Sequence, residues 1–296
     1  MKKKINIILD YEWNGGALYL HLGRGNQGIS TKVYNINSKF EYLSTSDGAC
    51  LYVYSVKETQ GTITNINSSF TSNRAPDGGA CFKLANVTYI STINCTFYKN
   101  RATSGAVFYS KGVTKIYNFQ CVFTKNIARN EERYWYFSHE IYGYGNVILA
   151  DFKEARNKHK IINKQCQFNG NTAGIRRSRL AQNTDDSRGG CIMIQTSKKV
   201  NNQGKLCNLN CIFTNNFASY RASVIYISSF ANYDYHMMNA KSKFINNHAE
   251  MDGGCMVFFN LSQIMNFRCL FKNNEARRHG VVFYSLDSSK IQLQYL

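Results

Sequence analysis

Two short segments carry the side chains best suited to hold a ligand. One reads Arg133-Tyr134-Trp135-Tyr136-Phe137, followed by Tyr142 and Tyr144; the other carries Arg176, Arg177 and Arg179, followed by Asp185 and Asp186. Aromatic faces stack on sugar rings, and guanidinium groups grip carboxylates or sulfates through paired N–H donors. Tyr134, Trp135, Tyr136, Arg176, Arg177 and Arg179 are therefore the candidate ligand-binding residues. The competing arrangement is a lid, in which the aromatics fold down and Glu131, Glu132 and Glu140 pair with the arginines. A further cluster, Lys153, Arg156, Lys158, Lys160 and Lys164, follows the first segment. With 36 Lys and Arg against 18 Asp and Glu, the formal net charge of +18 attracts polyanions. Candidate partners are anionic glycans, anionic membrane surfaces and other proteins. Specific nucleic-acid binding is not expected, because no recognised nucleic-acid motif is present.

Catalysis is not expected. Acid–base cleavage of a glycoside needs two carboxylates about 5–9.5 Å apart, and in an enzyme of that kind Asp185 or Asp186 would act. Asn183-Thr184-Asp185-Asp186 is similar to a motif of the polygalacturonases. Their Gly-His-Gly and Arg-x-Lys elements are absent, and the segment falls in an insertion rather than on a β run. The acids form no cluster for calcium. The six histidines share no register, and Cys207-x-x-x-Cys211 has no adjacent His to make a zinc site. No metal or cofactor is expected.

The elements that must position these residues come from a repeat. Phe-x-x-Asn-x-Ala occurs seven times. Its phenylalanines are Phe70, Phe97, Phe123, Phe168, Phe213, Phe244 and Phe271; its asparagines are Asn73, Asn100, Asn126, Asn171, Asn216, Asn247 and Asn274. The alanines are Ala75, Ala102, Ala128, Ala173, Ala218, Ala249 and Ala276, and Phe40 marks a degenerate earlier copy. Successive phenylalanines are 27, 26, 45, 45, 31 and 27 residues apart. Gly78-Gly79, Gly105, Gly189-Gly190, Gly253-Gly254 and Gly280 follow the alanines, and each precedes a short apolar run such as Val281-Val282-Phe283-Tyr284.

Short β runs bounded by Gly and Asn turns, with no 3.6-residue stripe, exclude a helical solenoid. A period near 27 predicts an all-β chain, a single-stranded parallel β-helix of about eight or nine coils. Residues 15–296 form that domain, after an uncertain segment 1–14. Equivalent residues then stack, placing the Phe column inside and the Asn column at a corner, in the left-handed conformation that Asn tolerates. Cys95, Cys121, Cys166, Cys211 and Cys269 each stand two residues before the repeat Phe and share its strand face; Cys50, Cys81, Cys191 and Cys255 follow glycines in a second register. Both sets read as small buried hydrophobes, with disulfides between coils left open. Cys207 fits neither. The step from repeat Ala to next Gly is 17 residues after Ala128 and 16 after Ala173. Loops 129–144 and 174–188 are therefore insertions at one corner of successive coils, and should protrude side by side.

Phe-x-x-Asn with Gly78-Gly79-Ala80-Cys81, Gly189-Gly190-Cys191 and Gly253-Gly254-Cys255 resembles the repeats of the chlamydial polymorphic outer membrane proteins and of some protozoan surface proteins. The resemblance covers about residues 15–296. It implies a right-handed parallel β-helix, exposure at the cell surface or outside the cell, and an adhesive or immune-facing role. Most units here replace the Ala of Gly-Gly-Ala, and a C-terminal outer-membrane barrel is not expected within residues 1–296.

The remaining features narrow the class. The chain has 296 residues, 44% hydrophobic, with ten cysteines and one proline, Pro76. Disordered, collagenous and small disulfide-rich classes are excluded. No run reaches the roughly 20 apolar residues of a membrane-spanning helix. Met1 to Lys4 is basic, but the apolar run Ile5 to Leu9 is short for a signal peptide. The four Asn-x-Ser/Thr sequons, at Asn67, Asn86, Asn94 and Asn260, are what 34 asparagines produce by chance. The chain stops inside a unit at Ile291 to Leu296 with no obvious cap, which leaves a truncated gene product or end-to-end association as the expectations.

Overall fold

A computed structural model describes residues 4–9, 12–14, 18–22, 30–45, 48–76, 78–129, 147–151, 159–174, 188–196, 203–229, 234–286 and 291–294. These residues are all-β and contain no helix. Each repeat visits three parallel sheets in turn. In one rung the chain passes through Phe108–Lys111 and Lys115–Phe119 in the large sheet, Val122–Thr124 in the second and Ile127–Ala128 in the third. It then re-enters the large sheet at Ile148–Asp151, beside Phe108–Lys111. The sheets hold 17, 9 and 7 strands among the described residues. Two long strands, Leu51–Ile66 and Phe82–Ile93, join the two arms of the large sheet. This is the path of a parallel β-solenoid. Strands within residues 1–14 share it: Lys4–Leu9 pairs with Ser30–Ile36, and Glu12–Asn14 with Lys39–Glu41.

Like stacks on like. Phe97 pairs with Phe123 and Phe123 with Phe168, so the 45-residue interval is one rung plus an insertion. From Phe40 to Phe271 the rings stack with centroids 4.7–4.9 Å apart and planes within 11°. Ala102, Ala128 and Ala173 likewise pair in series.

The repeat asparagines form a ladder. Asn126 Nδ2 donates to Asn171 Oδ1 at 3.1 Å and to Phe97 O at 3.1 Å, and Asn126 N–H donates to the same Asn171 oxygen. The pattern repeats from Asn73 to Asn274. Each interior amide thus uses two donors and accepts two bonds, as a buried amide must.

The expectation that these asparagines adopt the left-handed conformation is corrected. That conformation belongs to the residue before each of them: Ser72, Lys99, Lys125, Asn215, Asn246 and Asn273 have φ between 51° and 55°, and Gly170 63°. The preceding residue makes the corner, and the asparagine is then turned inward to reach the neighbouring rung.

A second ladder runs on the adjacent side of the core, through Asn118, Asn163, Asn208, Asn239 and Asn266 at 2.7–2.8 Å. Thr92 donates into it through Oγ1, and Asn35 and Asn65 continue it. Its ends are diagnostic. Asn35 Oδ1 and Asn266 Nδ2 have no hydrogen-bond partner, and the facing residues there are Leu9 and Leu293.

Both cysteine columns are buried in the core, Cys269 only partly, and the first has a further role. Cys95, Cys121, Cys166, Cys211 and Cys269 share a column with Ser38, Ser68 and Ser242. Every member donates to the carbonyl two residues earlier, as Cys166 Sγ does to Lys164 O at 3.4 Å and Ser242 Oγ to Ala240 O at 3.1 Å. These thiols serve as hydrogen-bond donors, not only as small hydrophobes. The other column is apolar and runs Cys50, Cys81, Val107, Val147, Cys191, Val224, Cys255 and Val282. All ten cysteines are free of disulfides. Tight packing beside the second column requires Gly190 and Gly254, where a Cβ would collide with the carbonyls of Ser223 and Val281.

Candidate functional site

The two long insertions are rooted on neighbouring rungs. Ala128, where the first leaves, pairs with Ala173, where the second leaves; Ile148 and Ile192, just after their returns, pair too. Arg129 N–H donates to Ala102 O at 2.7 Å and Gly174 N–H to Ala128 O at 2.9 Å. Tyr134, Trp135, Tyr136, Arg176, Arg177 and Arg179 lie outside the described residues, as do Asp185, Asp186, Lys153, Arg156 and Lys158.

The second insertion returns at Arg188, which heads a column continuing through Arg221, Asp252 and His279. The Arg188 guanidinium lies 5.3 Å from the centre of the Tyr226 ring, and its Nη1 donates to the Tyr226 hydroxyl at 3.1 Å. Arg221 lies 4.7 Å from the Tyr220 ring and its Nε donates to Asp252 Oδ2 at 2.9 Å. His279 Nδ1 stands 2.8 Å from the other Asp252 oxygen, and its ring stacks on Tyr284. Burial of Asp252 opposes ionisation, but the hydrogen bonds and charges of His279 and Arg221 outweigh it and hold this carboxyl below the usual range. Beneath the column, Leu149, Met193, Tyr226 and Val257 form a small apolar cluster separate from the main core. The corner is thus a fixed cation–aromatic surface beside the insertion roots.

The other arm of the large sheet presents a different surface. Lys115 pairs with Lys160, Lys160 with Lys205, and Lys205 with His236. The rings of Phe123, Phe168 and Phe213, on the same rungs as the three lysines, stand 4.7 Å apart. Lys160 and Lys205 are exposed, and Lys115 lies over the Tyr89 ring at 5.1 Å. No carboxylate among the described residues pairs with any of the three. An apolar stripe runs beside them, half-buried at Tyr117, Ile162, Met238 and Met265 and fully covered at Cys207. Cys207, the residue outside both cysteine registers, therefore belongs to this stripe, where it is buried between Ile162 and Met238.

A pocket of about 430 Å³ opens on the lysine row, lined by His159, Lys160, Gln203, Gly204, Lys205, Asp234 and His236. Gly204 pairs with buried His159 on one side and buried Tyr235 on the other, and supplies no side chain between them. At the rim, His236 Nε2 is 2.6 Å from Asp234 Oδ1, and its Nδ1 is 3.1 Å from Gln263 Oε1. Burial lowers the His159 pKa to about 4, although its Nδ1 lies near Val113 O.

Comparisons with family models, curated proteins and solved structures find no match. Among the described residues, no three His, Cys, Asp or Glu side chains converge on a metal-sized site. Burial raises the thiols of Cys81, Cys191 and Cys255 well above their ordinary value, which keeps them protonated and unreactive. Sequence reasoning placed Lys160 and Lys164 in a cluster along one coil. The lysine row instead runs across coils, and only the register of Lys115, Lys160 and Lys205 reveals it.

Proposed function

We propose that the chain is a non-enzymatic binding scaffold of the surface or adhesin type, presenting loops 129–144 and 174–188 to glycans or partner proteins. The relationship to polymorphic outer membrane proteins, and the location at or beyond the cell surface that it implies, belong to the same reading. So do a right-handed turn, a count of about eight or nine coils and the capacity for end-to-end association. Parallel crossovers in one sheet are right-handed in nearly all proteins. Eight phenylalanines from Phe40 to Phe271 stack in one column.

The observation that carries the functional reading is the pairing of the insertion roots, Ala128 with Ala173 and Ile148 with Ile192. Two loops rich in aromatics and arginines leave a rigid stack at adjacent levels, beside a fixed arginine–tyrosine corner. Loops on rigid scaffolds are where binding residues concentrate. The test is an array of neutral, sulfated and uronate-containing glycans together with candidate proteins, at low and physiological salt. Binding that survives salt and falls in Trp135→Ala with Arg177→Ala supports the scaffold. Release of reducing ends or unsaturated sugars from a bound polysaccharide contradicts it.

A further inference from the structure

The lysine row offers a site on a different arm from the insertion corner. We infer that the face carrying Lys115, Lys160 and Lys205, with the pocket at Gly204, binds an anionic polysaccharide with about one acidic group per sugar ring, laid along the solenoid axis.

Three observations converge. First, Lys160 and Lys205 are exposed on directly paired strands, with Lys115 one rung further on and its ammonium over the Tyr89 ring, and like charges stacked on neighbouring strands repel. A polyuronate carries one carboxylate per ring, and its extended chain advances by roughly one strand spacing per ring. Carboxylates turned toward the sheet pair with Lys160 and Lys205 and relieve the repulsion. Second, the pocket adds groups suited to sugar hydroxyls. Gln203 offers an amide, and Asp234, held through Oδ1 by His236, offers its second carboxylate oxygen, both beside Lys160 and Lys205. The carboxylate of Asp234 at the rim disfavours a densely phosphorylated polymer and suits a ligand with hydroxyls between its charges. Third, the half-buried side chains of Tyr117, Ile162 and Met238 run parallel to the lysines and receive the apolar faces of the rings.

This site is independent of the insertion corner, and the experiment separates the two. Binding of short oligogalacturonate is measured by titration calorimetry on the full chain at physiological salt. Its neutral methyl ester, a sulfated oligosaccharide of equal length and single-stranded DNA are run beside it. The ladder variant is Lys160→Ala with Lys205→Ala. A charge-matched control is Lys243→Ala with Lys272→Ala, exposed on the second sheet. The expected result is loss of about tenfold or more in affinity for the ladder variant and under about twofold for the control. The methyl ester should not bind, and the sulfated arm decides whether carboxylate or sulfate is preferred. Circular dichroism of the ladder variant should match the parent, since only exposed lysines change. Equal losses in both variants, preference for DNA, or no binding by the parent overturns the inference. Binding lost instead in Trp135→Ala with Arg177→Ala also overturns it, while leaving the scaffold function standing.

Discussion

The inside and the outside of the same strands obey one geometry with opposite consequences. In His159–Lys164, Asn163 points into the core and Lys160 points out, and each is stacked on a residue of its own kind in the next rung. The amide is self-complementary, donating through Nδ2 and accepting through Oδ1, so stacking Asn163 on Asn208 makes a buried bond of 2.8 Å. The ammonium only donates, so stacking Lys160 on Lys205 makes repulsion. A stack that repeats identical side chains is stable by itself only where those side chains complement themselves. Where they do not, the stack calls for something from outside.

The largest effect should come from breaking self-complementarity in the core. Asn171→Asp turns a donor–acceptor into a buried acceptor facing Asn216 Oδ1 and Phe123 O. It should cost about 5 kcal/mol, or prevent folding, in urea denaturation. Phe168→Ala removes a ring stacked at 4.7 Å on both sides and should cost about 4 kcal/mol in the same assay.

The two cysteine columns sharpen the comparison. Cys255→Ser places a hydroxyl among Val224 and Val282 and should cost about 2 kcal/mol. Cys166→Ser should cost under about 1 kcal/mol, because serine makes the same bond elsewhere in that column. Equal costs would mean that the columns are not chemically distinct.

His159 supplies a pH-dependent test. Its folded pKa of about 4 lies below the ordinary 6.5, so the unfolded chain takes up a proton that the folded chain refuses. Stability should fall as pH drops through that window, by about 2 kcal/mol between pH 7 and 5. The depressed Asp252 acts in the same direction, but at lower pH. His159→Phe should flatten the slope of urea midpoint against pH. The smallest effect concerns the outer row: Lys160→Ala should stabilise the chain by up to about 1 kcal/mol at low salt, and by less at high salt.

The Phe, Asn and Ala columns were legible because three positions recur at fixed offsets, and that sufficed for a parallel stack. The second ladder was legible in principle as Asn three residues before each Cys or Ser of the column, as in Asn118 to Cys121 and Asn239 to Ser242. Thr92 breaks that pattern, and the abundance of asparagine hid it. The left-handed corners were misplaced by one residue because asparagine suits both a corner and a ladder, and sequence alone does not say which role wins. The lysine row was not legible. Its members are 45 residues apart, and pairing them requires knowing how much of each interval is insertion.

The account stands on that register, so the most direct measurement is a cross-link across the first insertion. Val122 and Gln167 are paired across neighbouring rungs although 45 residues separate them. A protein carrying Val122→Cys and Gln167→Cys should form a disulfide between them under mild oxidation, since adjacent strands lie within the allowed Cα range. Val122→Cys with Asn169→Cys, shifted by two, should not. Peptide mapping that finds the in-register bond supports like-on-like stacking; preferential bridging of the shifted pair contradicts it.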